Sequence, residues 1–203
     1  MSSSHGSMQW IVGAAVRRFF ARNRVAISLL LFLALIIEDL IFQTKPNHGW
    51  LRNGSWQGYL GLALVVLGVG VRSWAAGILR KGIDLTTVGP YSLCRNPLYL
   101  GSFLVMIGFC MNIGYAHDYL VVCGPILAIY VFTVLNEERR LDAKYSQRWR
   151  EYASRTPRFL PWKIHNYAGG EWSLAQWLKS REYRGLIWTA LGLVALEAWR
   201  LLG

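Results

Sequence analysis

Residues 98–135 read LYLGSFLVMIGFCMNIGYAHDYLVVCGPILAIYVFTVL and contain one charged side chain, that of Asp118. The stretch divides into two apolar runs, Leu98–Tyr115 and Tyr119–Leu135, with only residues 116–118 between them. Each run approaches the ~20 apolar residues that a helix needs to cross a bilayer. The stretch therefore predicts two membrane-spanning helices joined by a tight antiparallel turn.

Three further apolar runs of similar length lie outside this hairpin: Val25–Phe42, Gly58–Leu79 and Gly185–Leu202. The five runs together cover 93 of the 203 residues and hold only 5 of the 33 charged side chains. Charged residues make up 16% of the chain, against about 25% in an ordinary soluble domain. This distribution predicts an all-α, polytopic membrane protein with about five transmembrane helices, and it excludes a soluble or disordered chain.

The excess of basic residues indicates an orientation. Net charge is +11, but the 22 Lys and Arg residues are unevenly placed. Eighteen lie in the N-terminal arm, the second loop and the stretch after the fourth run, and only Lys45 and Arg52 lie on the opposite side. Such an asymmetry marks the cytoplasmic face of a membrane protein. We therefore expect a cytoplasmic N-terminus and no nucleic-acid partner.

The ends and the cysteines suggest no additional domain or centre. Residues 1–8, MSSSHGSM, have the character of a disordered arm or an expression-tag remnant. Residues 9–203 are predicted to form one integral membrane domain. The three cysteines lack the spacing of a metal site, so we expect no metal centre.

Several residues within the runs bear on helix packing. Glu38, Asp39 and Arg72 are charges inside predicted spans, and such charges either pair with one another or extend toward the head groups. Small residues on one helix face allow two helices to approach closely. Glycines seven residues apart predict such contacts for two runs: Gly61 with Gly68, and Gly101 with Gly108.

Beyond the fourth run a helical pattern continues out of the membrane. Glu138, Leu141, Tyr145, Trp149 and Tyr152 recur at steps of three and four residues, which places them on one face of a helix. Basic residues occupy the other faces, so the segment is predicted to be an amphipathic helix at the cytoplasmic surface. Two prolines end it, and a capping box predicts a short interfacial helix further on: Pro157 and Pro161, then Ser173 with Gln176 before Leu174–Glu182.

Two polar clusters lie at the predicted cytoplasmic ends of the hairpin. The first is GPYSLCRNPLYLG, residues 89–101, and the second is NEERRL, residues 136–141, followed by PRFLP at 157–161. Because the two helices are antiparallel neighbours, we expect both clusters to surround one cavity. Their tyrosines offer faces for a cation and their glutamates offer acceptors, which suits a zwitterionic ligand. Ordinary membrane-entry residues are the alternative explanation from the residues alone.

The two clusters together resemble a family. Residues 83–161 contain Gly-Pro-Tyr, Asn-Pro-x-Tyr-x-Gly, Glu-Glu-x-x-Leu followed by Tyr145 and Tyr152, and a Pro-Arg-x-x-Pro ending. This order of motifs is similar to that of the membrane methyltransferases. That group comprises the isoprenylcysteine carboxyl methyltransferases and the phospholipid methyltransferases. The resemblance implies S-adenosylmethionine as cofactor, contacted by one set of residues: Ile83, Asp84, Leu85, Thr86, Tyr91, Asn96, Pro97, Leu98, Tyr99 and Glu137.

Two positions differ from the isoprenylcysteine enzymes. Asn96 replaces a histidine, and asparagine cannot become cationic. Thr133 stands where those enzymes place an arginine for the substrate carboxylate. Thr133 is therefore our predicted substrate-facing position, and a lipid amine or a thiol is as suitable an acceptor as a prenylcysteine.

The predicted reaction is methyl transfer to a lipophilic acceptor that enters from the membrane, at a cytoplasmic active site. Positioning of the reactants can supply roughly 7–11 kcal/mol, and an amine acceptor would also need a proton acceptor, for which Glu138 is the nearest candidate. Two alternatives remain open from the sequence. One is an NADPH-dependent reductase of the sterol-reductase type, and the other is a non-catalytic membrane protein that binds lipid or a partner.

Overall fold

The computed structural model describes residues 45–51, 54–80, 84–161 and 167–202, together with residues 30, 34, 37–38 and 41–42. Asp39 and Ile83 lie outside the described residues. Within the described part every regular element is helical. The elements are α1 (Trp56–Ile78), α2 (Pro90–Leu93), α3 (Pro97–Ile113), α4 (Ala116–Val121), a π-helical turn (Val122–Ile126), α5 (Leu127–Arg155), α6 (Leu174–Lys179) and α7 (Glu182–Leu202).

Two helical segments are long and apolar enough to cross a membrane: α1, with 23 residues, and the continuous 40-residue stretch Ala116–Arg155. Helix α3 is apolar but has only 17 residues. Helix α7 has 21 residues and includes Glu182, Glu197 and Arg200. The first predicted run, residues 25–42, falls mostly outside the described residues. The all-α prediction is thus confirmed, whereas the described helices support two spans rather than five.

Helices α1 and α3 pack with their backbones in direct contact. A Cβ atom added at Gly68 would lie 2.5 Å from the carbonyl oxygen of Gly101, and one added at Gly61 would lie 2.8 Å from that of Gly108. Real Cβ atoms are not found so close to another atom. The predicted close contact at these glycines is therefore confirmed, with Gly68 facing Gly101 and Gly61 facing Gly108.

The turn between α3 and α4 is shorter than the sequence suggests. Gly114 has φ 86° and its N–H donates to the Cys110 oxygen at 2.7 Å. This left-handed conformation is one that glycine adopts readily, and it ends α3. Helix α4 already begins at Ala116, so the connection is residues 114–115 rather than the predicted residues 116–118.

The segment after α4 is helical but not straight. A π-helical turn containing Pro125 precedes α5, because proline has no N–H to donate to the preceding turn. Further on, Ser146 has φ 44° and ψ −110°, which bends α5. The predicted amphipathic helix is confirmed in the described residues, with this bend within it.

Helix α6 docks on the end of α1. The Ser173 hydroxyl accepts from the Gln176 N–H at 3.4 Å, which confirms the predicted cap. The Gln176 side chain donates to the Leu79 oxygen at 2.5 Å. The helix ends at Lys179, not at the predicted Glu182, because Arg181 takes φ 56° and breaks it.

Arg72 of α1 finds a partner that the sequence does not suggest. Its guanidinium binds Glu182 at the start of α7, with Nε–Oε1 at 2.6 Å and the second nitrogen–oxygen pair at 3.0 Å. It also donates to the Leu98 carbonyl at 3.4 Å and to the Ser102 hydroxyl. This ion pair links α1, α3 and α7 at the end of α3 where the candidate site lies.

Candidate functional site

The first polar cluster is positioned by a turn at Gly89 and by the neighbouring irregular segment that contains Ala168. Gly89 has φ 61°, a conformation that favours glycine, and its N–H donates to the Ala168 oxygen at 2.7 Å. The Ser92 hydroxyl donates to the Gly89 oxygen at 2.7 Å and accepts from the Ala168 N–H at 3.0 Å. These contacts hold the short helix α2, which carries Tyr91.

Asn96 and Pro97 begin α3. Pro97 occupies the first helical position, where its missing N–H costs nothing. The Asn96 amide nitrogen donates to Glu138 Oε1 and to the Arg158 carbonyl, both at 3.2 Å. The side chain that precedes α3 therefore contacts α5 and the segment beyond it.

Glu138 is the centre of a buried polar cluster. The residue is only 7% exposed. Its carboxylate accepts from the Arg158 guanidinium at 2.8 and 3.1 Å and lies 3.5 Å from Arg95. The hydrogen bond to Glu138 raises the pKa of Arg158 above its ordinary value. We refer to Glu138, Arg158, Arg95 and Asn96 as the Glu138 cluster.

Glu137 is exposed and makes a different contact. The Tyr99 hydroxyl donates to Glu137 Oε2 at 2.8 Å. The Tyr99 ring also meets Tyr130 of α5 edge-on, with ring centroids 5.8 Å apart. The two glutamates thus face different surroundings, one a buried cationic cluster and the other an accessible aromatic wall.

Tyr91 contacts α5 through its main chain. Its carbonyl accepts from the Tyr152 hydroxyl at 2.6 Å. Its own phenol is buried, and no hydrogen-bond partner lies within the described residues. Burial, with a further contribution from Glu137, raises the pKa of Tyr91 well above its usual range. Burial also raises the pKa of the neighbouring Cys94 thiol to about 11. Both groups are therefore neutral near pH 7.

Two cavities lie beside these residues. The polar cavity has a volume of about 430 Å³ and is lined by Leu85, Thr87, Ser92, Arg148, Glu151, Tyr152, Arg155, Thr156 and Ala168. The apolar cavity has a volume of about 210 Å³ and is lined by Tyr99, Leu100, Phe103, Leu127, Tyr130, Phe159 and Leu160. The first is of a size that takes a small molecule, and the second shares Tyr99 with the contact to Glu137.

The structure brings together about half of the residues that the sequence singles out. Asn96, Tyr99, Glu137 and Glu138 meet directly. Pro97 and Leu98 form the first turn of the same helix α3. The two halves of the motif are thus in contact, 38 and 42 residues apart along the chain.

The remaining predicted residues lie elsewhere. Asp84 pairs with Arg148 at 3.3 Å, and Arg148 is eleven residues beyond Glu137 in α5, roughly 16 Å along a helix. Leu85 lines the polar cavity, and the Thr86 hydroxyl accepts from a main-chain N–H at 3.1 Å. Thr133 is buried, and its hydroxyl donates to the Ile129 oxygen of its own helix at 2.8 Å.

Two arginines of the site were not singled out from the sequence. Arg158 binds Glu138, and Arg95 lies against Glu138 and over the Trp149 ring, 5.8 Å from its centroid. Arg158 lies inside the Pro-Arg-x-x-Pro ending of the motif. Its position in that ending was the available signal, but the pattern did not reveal its partner.

Sequence comparison relates the chain to known proteins. The phospholipid methyltransferase family model matches residues 56–148. The cobalt-zinc-cadmium resistance protein CzcN of Cupriavidus metallidurans is 31% identical over 164 residues, covering 76% of this chain and 71% of that protein. The chain belongs to the phospholipid methyltransferase family. The predicted family resemblance is thereby confirmed, and the family is one of membrane methyltransferases.

Two further relatives carry different functional names. The nickel-cobalt-cadmium resistance protein NccN of Alcaligenes xylosoxydans xylosoxydans is 28% identical, covering 70% of this chain and 67% of that protein. A probable 7-dehydrocholesterol reductase of Acanthamoeba polyphaga mimivirus is 27% identical over 85 residues, covering 41% of this chain and 19% of that protein. No solved structure matches the chain.

Proposed function

We propose that this family member transfers a methyl group from S-adenosylmethionine to a lipophilic acceptor at the membrane. The observation that carries the proposal is the contact between the two motif halves, Tyr99 with Glu137 at 2.8 Å and Asn96 with Glu138 at 3.2 Å. It supports a binding site where the start of α3 meets the middle of α5.

We propose the following topology. The chain crosses the membrane about five times, with the N-terminus and the site in the cytoplasm and the acceptor entering from the lipid. The asymmetry of 18 against 2 basic residues supports this orientation. The two apolar helical segments and the tight turn at residues 114–115 are consistent with it.

The residues present fit S-adenosylmethionine in three respects. The buried Tyr91 phenol, which has no partner within the described residues, leaves a hydrogen-bonding group for a ligand. The exposed Glu137 carboxylate suits ribose hydroxyls, and the Tyr99 ring suits a sulfonium cation. The cofactor, when bound, supplies an electrophilic methyl group. We propose that the predicted set from Ile83 to Tyr99, with Glu137, forms its surroundings, and Asp84 to Thr86 would line its approach.

The chain itself has to orient the reactants and exclude water. The Glu138 cluster ties the start of α3 to α5, which keeps Tyr99 beside Glu137. Glu138 remains the proposed proton acceptor for an amine, but its carboxylate is bound by Arg158 at 2.8 Å and that ion pair must open first. A thiolate or carboxylate acceptor needs no such step, so the geometry favours an acceptor that is already anionic. Thr133 would reach such an acceptor only if its hydroxyl left the Ile129 oxygen.

The test combines binding with turnover. Purified protein in lipid nanodiscs is titrated with S-adenosylmethionine by calorimetry, and then supplied with labelled cofactor and benzyl acceptors that carry an amine, a thiol or a carboxylate. We expect transfer by the wild type, and loss of cofactor binding in Glu137→Ala and Tyr99→Ala. Glu171→Gln, at an exposed glutamate outside the site, serves as the control. Unchanged affinity in both site variants would refute the site.

A second candidate is a reductase, which the similarity to the probable 7-dehydrocholesterol reductase favours. The cofactor would then be NADPH, whose 2′-phosphate should make binding weaken as salt rises. A thermal-shift comparison separates the two, because a ligand that binds the folded state raises stability. A shift with NADPH alone would select the reductase. A shift with neither cofactor would select a non-catalytic lipid- or partner-binding protein.

The names of two relatives suggest a physiological setting. CzcN and NccN are resistance proteins for cobalt, cadmium and other metals. We propose that methylation by this chain supports growth in the presence of such metals. Expression in a metal-sensitive bacterial host should raise the tolerated cobalt or cadmium concentration, and Glu137→Ala should not. Equal tolerance with both proteins would separate the resistance from methyl transfer.

A further inference from the structure

The apolar cavity is bounded by three parts of the chain. Leu100 and Phe103 come from α3, Leu127 and Tyr130 from α5, and the closing wall comes from residues 156–161, which we call the closing segment. Phe159 and Leu160 are its contribution to the cavity. The π-helical turn ends immediately before Leu127, and such turns occur frequently at functional sites.

The closing segment is held in place by contacts to the site itself. The Arg95 N–H donates to the Pro157 oxygen at 2.8 Å, and the Asn96 amide donates to the Arg158 oxygen at 3.2 Å. The Arg158 guanidinium binds Glu138 at 2.8 Å. Because Arg158 directly precedes Phe159, the same contacts that organise the Glu138 cluster also position the cavity wall.

The cavity adjoins the proposed reaction site through Tyr99. The Tyr99 ring is part of the cavity wall, whereas its hydroxyl binds Glu137. An occupant of the cavity therefore contacts the same tyrosine that we place beside the methyl donor. The wall is apolar, so it suits the non-reacting part of an acceptor rather than the cofactor.

The volume restricts the occupant. A cavity of about 150 Å³ lined by apolar side chains binds benzene, and this cavity has about 210 Å³. We propose that it is the acceptor subsite, that it takes one ring-sized or short apolar group rather than a diacyl or polyprenyl chain, and that Phe159 and Leu160 set the length limit. This proposal rests on the proposed function, because that function defines what the acceptor is. Binding in the cavity is nevertheless measurable without turnover.

The first experiment measures occupancy. The probe is 4-fluorotoluene, followed by ¹⁹F NMR line broadening with the full chain in nanodiscs. Leu160→Trp fills the cavity from an exposed position, and Leu120→Trp, at a residue 73% exposed and outside the cavity wall, is the matched control. We expect broadening with the wild type and the control and its loss in Leu160→Trp. Equal broadening in all three proteins would overturn the subsite.

The second experiment measures the length limit. The acceptors are benzyl thiols with para substituents from methyl to octyl, and the readout is kcat/KM with labelled S-adenosylmethionine. We expect a drop of about tenfold once the chain outgrows the cavity, at a greater length in Phe159→Ala than in the wild type. The Kd for S-adenosylmethionine should not change.

The two experiments separate the two proposals. Probe binding that Leu160→Trp abolishes, without transfer to any acceptor, would support the cavity as a ligand site and overturn the proposed function. Transfer that is independent of chain length in both proteins would support the function and overturn the subsite. If Phe159→Ala does not fold, Leu160→Ala, at a residue 63% exposed, makes the same comparison.

Discussion

Replacing Arg158 with alanine tests the Glu138 cluster most directly. The variant removes the hydrogen bonds of 2.8 and 3.1 Å that the guanidinium donates to the Glu138 carboxylate. With Arg158 in place, Glu138 is only 7% exposed. It keeps weaker partners, the Asn96 amide at 3.2 Å and the Arg95 guanidinium at 3.5 Å. The cluster is therefore weakened rather than left without a cation.

The expected loss of stability follows from those partners. Removing one member of a fully buried ion pair costs about 3–5 kcal/mol. The Arg158 side chain is 44% exposed, and solvent screening together with the remaining partners reduces the cost to about 2 kcal/mol. For a chain of this length each kcal/mol lowers Tm by about 2–4 °C. We expect Arg158→Ala to lower Tm by about 4–8 °C.

Differential scanning fluorimetry in one detergent measures the shift. Arg155→Ala is the matched control, because Arg155 pairs with Glu151 at 2.7 Å but both side chains are well exposed, 72% and 60%. Exposed pairs contribute about 0–1 kcal/mol, so this variant should change Tm by less than half as much. Arg158→Lys retains the charge without the two-pronged contact and should fall between them. Equal shifts for Arg158→Ala and Arg155→Ala would refute the reasoning.

Three further predictions concern packing, hydrogen bonding and reactivity. Gly68→Ala should destabilise the folded protein by about 1–3 kcal/mol, because the new Cβ would lie 2.5 Å from a main-chain oxygen of α3. The control Gly70→Ala has open space around it and should not destabilise the protein. Equal thermal shifts for the two variants would contradict the packing of α1 on α3. Tyr152→Phe removes a 2.6 Å hydrogen bond to the main chain of α2 and should lower the free energy of unfolding by about 1 kcal/mol in urea titration; no change would show that bond to be replaceable. Cys94, with its pKa raised to about 11, should react slowly with iodoacetamide at pH 8 and faster as the pH approaches that value, as followed by mass spectrometry, whereas rapid labelling of the folded protein at pH 8 would contradict its burial.

Local signals predicted the elements of the fold well. The glycines spaced by seven residues predicted the close contact of α1 and α3, because a missing side chain acts directly on helix separation. The Ser173 cap was predicted because it involves residues three apart. Helix ends were predicted less accurately, because a single backbone angle decides where a helix stops. The positive φ angles of Gly114 and Arg181 are examples.

Long-range partners were not predictable in the same way. The Arg72–Glu182 pair joins residues 110 positions apart, and nothing local in the sequence selects Glu182 over the nearer Glu38. The sequence predicted that Tyr99 and Glu137 lie at one cavity, because the hairpin places their two helices side by side. The structure adds the direct contact between them. No comparable constraint links Asp84 to that contact, and its carboxylate lies beside Arg148 instead.

The adjacent glutamates show where sequence reasoning reaches its limit and what resolves it. Two neighbouring residues of a helix point about 100° apart, so the two glutamates face different surroundings. From the sequence either could be the structural member. The decisive feature is Arg158, which the chain returns to the buried side of the helix after α5 ends, where it takes Glu138 as its partner at 2.8 Å. Glu137 is left exposed beside Tyr99. The division of roles between two identical side chains is therefore set by the chain that folds back over one of them.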